Sequence, residues 1–91
     1  MDFIWDEAKS ERNHVERDLP FGLARELFAG PVVEQVDARR NYGEIRMKAI
    51  GVVGGLLMAC VFTDRGAAHR IISLRYASRR ERNAYRAAYP S

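Results

Sequence analysis

The hydrophobic positions of this chain change their period near residue 32, and that change divides it into a helical half and a sheet half. Before it, apolar residues recur at three- and four-residue intervals; after it, they alternate or run together. Phe3 to Trp5 is a short apolar entry that reads as an edge strand, and Asp6 is placed to cap a helix running to about Arg17. The apolar stripe of that helix is thin. Trp5, Ala8 and Val15 share a face, so the helix is expected to lie on the surface with Trp5 anchoring it. A second helix is better marked, with Pro20 near its start, Phe21, Ala24 and Phe28 at i, i+3 and i+7, Leu23 and Leu27 beside them, and Gly30-Pro31 as its stop.

From Val32 to Val36 a β-branched run predicts a strand, and Asp37 to Gly43 reads as a polar turn. Glu44 to Val52 alternates until Gly54-Gly55 makes a hairpin turn, and Leu56 to Thr63 is a mostly buried strand. Asp64-Arg65-Gly66 turns the chain again, and His69 to Tyr76 forms the last strand. Ser78 followed by Glu81 is the signature of a capping box opening a final helix. The pattern gives one α+β domain over residues 1–91: two N-terminal helices, an antiparallel sheet of three to four strands, and a C-terminal helix.

Strand alternation then assigns faces. Arg46 and Lys48 share one side of their strand, and strict alternation puts His69, Ile71, Ser73 and Arg75 on one side of the last strand, opposite Arg70, Ile72, Leu74 and Tyr76. If the helices cover the apolar side, Arg46, Lys48, Ser73 and Arg75 converge on an open, basic face.

Charge sharpens that expectation. Residues 65 to 86 hold seven arginines against one acid, Glu81, whereas residues 1 to 64 hold eight Lys or Arg against eleven Asp or Glu, so the net charge of +3 hides a strong segregation. A basic run can simply be a solvated helix face. Thirteen of the fifteen cations are Arg, however, and a guanidinium meets two phosphate or carboxylate oxygens at once, which solubility alone does not require. Nucleic acid or an acidic partner is the expected reader of such a field.

Other chemistries are excluded or weakened. Cys60, the single cysteine, lies in an apolar run and reads as a small buried hydrophobe in a reducing, cytoplasmic setting. The N-terminus lacks a signal-peptide pattern, and no apolar run approaches the roughly 20 residues a membrane span needs. The stretch from Gly51 to Gly55 lacks the lysine and following helix of a nucleotide loop, and no Cys or His spacing fits zinc. No metal or cofactor is expected.

WDEAK with Asn13, then Phe21 and Phe28, then DARRNYGEIR with Gly51 after it, then TDRG, and above all RIISLRYASRRERNAY occur in an order that resembles the BrnT family of bacterial type II toxins. The resemblance covers nearly the whole chain. It implies a compact RelE-like fold and a ribonuclease that inhibits translation by cutting RNA. It also implies neutralisation by a BrnA-type antitoxin, with operator DNA reached only through that antitoxin. One segment departs: Glu16-Arg17-Asp18 stands where members usually carry Lys-His-Gly, so a role of that histidine does not carry over. A binding module that keeps the fold and acts only within the antitoxin complex, and an RNA-binding domain unrelated to toxins, are the alternatives.

RNA cleavage without a metal needs a proton acceptor for the ribose 2′-hydroxyl, charge stabilisation on phosphate, and a proton for the leaving 5′-oxygen. Arginine serves the second need and is a poor base. The expected clamp is Arg46 and Arg75, assisted by Lys48, with Arg79 and Arg80 at the N-terminal turn of the last helix. His69 is the candidate base because it shares the expected face with Arg75, with His14, Glu44 and Asp37 as weaker choices. Tyr42 in the polar turn is the candidate for stacking on a base, while Tyr76 falls on the expected core side.

Overall fold

A computed structural model describes residues 1–37 and 44–90. Strand β1 (Asp2–Trp5) leads into helix α1 (Glu7–Arg17), where Asp6 Oδ1 accepts from the amides of Ala8 and Lys9 at 2.9 and 3.3 Å, the N-cap its position predicts. The helix ends on Asp18 in the left-handed region, φ 59° and ψ 32°, with its N–H bonded to the His14 carbonyl at 2.7 Å and that of Leu19 to the Asn13 carbonyl at 3.5 Å. This is the termination glycine favours, adopted here by aspartate, one of the few side chains that tolerates it.

The buried side of α1 is not the one its apolar residues suggest. Val15 is 75% exposed and Ala8 is exposed, whereas Ser10 and Asn13 are buried. Both are buried because they are hydrogen-bonded. Ser10 Oγ accepts from the Phe21 amide, and Asn13 Nδ2 donates to the carbonyls of Leu19 and Leu74. The helix is therefore docked through polar contacts, with Trp5 half-buried beside it under the Arg25 guanidinium at 4.9 Å from the ring.

Pro20 opens a short 3-10 turn (Phe21–Leu23) that runs directly into α2 (Ala24–Ala29), so the expected second helix is split at its first turn. Strand β2 (Val33–Val36) follows Gly30-Pro31, and β3 (Met47–Val53), β4 (Leu56–Arg65) and β5 (Ala68–Tyr76) form the predicted meander. The β3–β4 turn is Gly54-Gly55 with φ of +58° and +81°, a backbone that glycine supplies without strain. Of the predicted polar turn Asp37 to Gly43, only Asp37 lies within the described residues.

The sheet differs from the expected antiparallel three- or four-stranded one. It has five strands in the order β1-β5-β4-β3-β2, and it is mixed, because β1 pairs parallel with β5 from Asp2↔Ala68 to Trp5↔Ile71. Four residues with no turn to their partner carry no register information, which is why pattern alone leaves β1 unplaced.

The register between β4 and β5 shifts once: Val61 pairs with Ser73 and Phe62 with Ile71, leaving Ile72 as an extra residue. This bulge reverses the alternation of β5 halfway along. Ile71 and Leu74 consequently face the same core as Ala49, Met58, Cys60 and Phe62, together with Leu19, Phe21, Ala24 and Leu27 from the helical segment. Packing of α2 on that face is close; a methyl at Gly51 would stand 3.0 Å from the Leu27 side chain and 3.1 Å from its carbonyl oxygen. Helix α3 (Arg79–Ala88) covers the opposite face over β2 and β3, fastened at its far end by Tyr85 and Tyr89, whose hydroxyls donate to the carbonyls of Pro31 and Val32 at 3.1 and 2.7 Å.

Asn13→Ala strips the buried Leu19 and Leu74 carbonyls of their side-chain donor, and a cost of about 2 kcal/mol is expected. Urea unfolding of the two proteins checks this, with Val15→Ala, on the exposed side of α1, expected to stay within about 0.5 kcal/mol of the parent.

Candidate functional site

The first turn of α3 is where the sequence concentrates its arginines, and the structure ties that turn to the sheet through one carboxylate. Ser78 Oγ accepts from the Glu81 amide at 3.2 Å and Glu81 Oε1 accepts from the Ser78 amide at 2.8 Å, completing the predicted capping box. Glu81 does more than cap. It is 5% exposed, receives both guanidinium nitrogens of Arg75 at 2.7 and 2.8 Å, and holds Lys48 Nζ at 2.7 Å on Oε2. The Arg75 hydrogen bonds, with the Lys48 and Ser78 donors adding to them against the cost of burial, hold the Glu81 carboxyl well below the usual carboxylate range.

A second carboxylate repeats the arrangement. Glu44 takes Arg65 Nη2 at 2.9 Å on one oxygen and Arg46 Nε at 3.7 Å on the other, while Arg65 Nε reaches the buried Thr63 hydroxyl at 3.4 Å. Each carboxylate is shared between two cations. Arg79 and Arg80 stand exposed in the first turn of α3, and Arg82 donates back to the Ala77 carbonyl at 2.8 Å.

The structure thus brings together Lys48 and Arg75 on the sheet face away from α1 and α2, with Arg79 and Arg80 following one turn later. Arg46, two residues before Lys48, belongs to the neighbouring Glu44 cluster. The face is less open than expected, because α3 roofs its β2–β3 side. His69 is not on it. The Ile72 bulge turns His69 to the helix-covered face, where its ring packs at 4.3 Å from Phe62, 4.9 Å from Phe28 and 6.0 Å from Phe3, with Nδ1 2.7 Å from Asp64 Oδ1. The expectation that His69 and Arg75 share a side is corrected by that one extra residue. Tyr76 keeps to the side of Leu74, paired with the core residue Met58, but as the last residue of β5 it is 54% exposed, so the expected core packing is not found.

Tyr42 lies outside the described residues. His14, on α1, stands 3.6 Å from Asp18 at the surface. Cys60 is fully buried, and burial pushes its thiol up to about 12, which keeps it protonated at neutral pH as a small hydrophobe. Glu81 is the participant that sequence reasoning read only as a cap. The available signal was its isolation as the single acid among seven arginines between residues 65 and 86.

What such a site can do is bounded by its donors. Fixed guanidinium and ammonium groups under a helix N-terminus attract and orient an oxyanion, and none of them is a base near neutral pH. A small α+β fold with cations pinned on one sheet face defines a compact basic protein suited to polyanions.

The chain belongs to the BrnT family: the family model described as the ribonuclease toxin, BrnT, of type II toxin-antitoxin system matches residues 5–81. At family level this makes it a toxin with ribonuclease activity, RNA as substrate and an antitoxin as partner. No curated protein matches the chain. No helix among the described residues is long and apolar enough to cross a membrane.

Because the folded-state carboxyl of Glu81 is depressed, its contribution to stability is fully present above the unfolded value near 4.5 and is lost as pH falls toward the folded one. Glu81→Gln is therefore expected to cost about 2 kcal/mol at pH 7, with the gap to the parent narrowing below pH 4.5. Urea titrations at pH 7 and pH 3 measure it; a gap independent of pH would show that charge at Glu81 does not hold α3 to the sheet.

Proposed function

We propose that this protein is a metal-independent endoribonuclease that inhibits translation by cleaving RNA in the cytoplasm and is neutralised by a BrnA-like antitoxin, which alone contacts operator DNA. A RelE-like relationship of its fold is part of the same reading. The observation that carries it is the pairing of Arg75 and Lys48, held side by side on the sheet by Glu81 beneath the arginine-rich turn of α3.

In this mechanism the ribose 2′-oxygen attacks the adjacent phosphorus, its proton passing to solvent, and the bond to the 5′-oxygen breaks as that oxygen takes a proton from solvent, leaving a 2′,3′-cyclic phosphate and a 5′-hydroxyl. Negative charge builds on the non-bridging oxygens between these events. Arg75, Lys48 and Arg46 supply the counter-charge there, and Arg79 and Arg80 hold flanking phosphates. Preorganisation is the source of the rate: Arg75 is already oriented by two hydrogen bonds to Glu81, so little reorganisation accompanies charge development. His69 has no part in this proposal, since it lies across the sheet from Arg75. Its packing against three phenylalanines supports a structural role.

One observation favours a second reading. Glu81 already neutralises half of the charge that Arg75 and Lys48 carry, and Arg17 replaces the family histidine, so a protein that binds but does not cut is physically coherent.

An RNA cleavage assay in EDTA decides between them. The parent protein is expected to cut, Arg75→Ala to lose about 100-fold or more, Arg46→Ala to lose less, and the antitoxin to abolish cutting. Tight antitoxin binding with no cleavage by the parent protein would establish the binding module instead. RNA affinity is expected to fall linearly in log–log form as salt rises. A flat salt dependence would remove the arginine clamp.

A further inference from the structure

We infer that the groove between α1 and the bulged edge of β5 is a second phosphodiester subsite, taking the RNA strand beyond the Arg75–Lys48 cluster. The inference rests on the RNA-cleaving reading above. It begins from the short length of β1, whose pairing with β5 stops at Trp5↔Ile71. From Ile72 onward β1 no longer covers that edge of β5. Helix α1 runs alongside instead, and Asn13 Nδ2 reaches the Leu74 carbonyl at 2.8 Å. A groove of about 190 Å³ remains between helix and edge, lined by Lys9, Arg12, Asn13, Glu16, Arg17 and Ile72 over the buried ring of Phe21.

Its charge is one-sided. Lys9, Arg12 and Arg17 face a single acid, Glu16, and among the described residues no ion pair joins any of these four to another side chain. Arg17 is nonetheless held in place, its Nη1 lying 3.3 Å from Asn13 Oδ1 and 3.5 Å from the Leu74 carbonyl. The site therefore combines one oriented guanidinium with two exposed cations, Lys9 and Arg12, that form no ion pair among the described residues. This contrasts with the Arg75 and Arg46 clusters, where every cation shares a carboxylate.

Size and lining select the ligand. The volume falls below the roughly 300 Å³ at which separate small-molecule pockets begin, so the groove suits part of a longer ligand. An amphipathic peptide needs a row of apolar anchors, and the groove offers only Ile72 and the edge of Phe21. Guanidinium forks match phosphate. The connection to the clamp runs along β5 itself. Ile72 forms the groove wall, and Ser73 and Arg75 follow on the face that carries Lys48, the separation from Ile72 to Arg75 being about 10 Å of extended chain. One RNA strand crossing this edge meets both sites in succession.

The test uses a fluorescent 2′-O-methyl oligoribonucleotide, which has no 2′-hydroxyl to attack and so reports binding alone, with anisotropy read across a salt series. Lys9→Gln/Arg12→Gln, at exposed positions of α1, is expected to weaken binding about 10-fold and to lower the salt slope by about 1 to 2. Arg17→Gln is expected to do the same in the same direction, with thermal melting separating any loss of fold. Unchanged affinity and slope in Lys9→Gln/Arg12→Gln, alongside weakened binding by Arg75→Gln, would overturn the groove while leaving the clamp. Retained RNA binding with lost antitoxin binding would also overturn it and assign the groove to the protein partner. Salt-independent or absent binding by the parent protein would instead bring down the RNA-cleaving reading, and the groove inference with it.

Discussion

The extra residue in β5 decides what this protein can present to a ligand. With strict alternation, Arg75 would lie on the side of Ile71, pointing its guanidinium into the core under α1 and α2. Insertion of Ile72 opposite the Val61–Phe62 step lets Ile71 and Leu74 both enter that core while Ser73 and Arg75 emerge on the other face. A bulge costs a ladder position and gains a change of side, and such features recur next to functional sites for that reason. The helix-covered face and the cation-bearing face are thus two consequences of one backbone irregularity.

Once Arg75 is on that face, it needs a partner, because a guanidinium bound to a sheet and roofed by a helix loses much of its hydration. Glu81 supplies it and binds Lys48 and the Ser78 amide with the same two oxygens. The carboxylate is therefore a cap, a bridge between α3 and the sheet, and a spacer that keeps two like charges adjacent. Breaking such a buried pair from one side leaves the remaining charges unmet, which costs more than the intact pair contributes. The requirement that α3 begin at Ser78 and the requirement that Lys48 and Arg75 stand together are met by one side chain.

Local signals with short-range causes were legible in the sequence: the Asp6 cap, the Gly54-Gly55 hairpin, the stop at Gly30-Pro31, the Ser78–Glu81 box and the burial of Cys60 all depend on neighbours within a few residues. Convergence of Lys48 and Arg75 was legible too, since alternation holds on either side of the bulge. The bulge itself was not, because nothing in RIISLRYA marks Ile72 as the residue without a partner. That hid the separation of His69 from Arg75, whereas Tyr76 is exposed because it ends β5 on the side of Leu74. Parallel pairing of β1 with β5, and the bidentate hold of Glu81 on Arg75, join residues through tertiary geometry that no periodicity encodes. The family relationship was legible because it rests on order and spacing along the chain.

Helix α1 shows the same tension between pattern and packing. An apolar stripe would have sealed α1 against the sheet and closed the edge of β5. Ser10 and Asn13 instead bind backbone groups, Asn13 meeting the carbonyl of Leu74 that an edge strand would otherwise leave to water or to another chain. Because those bonds are directional and few, the helix stands off the strand along the side that carries Lys9, Arg12 and Arg17. Protecting an edge with hydrogen bonds leaves space where hydrophobic packing would have removed it, and the cations of α1 line that space.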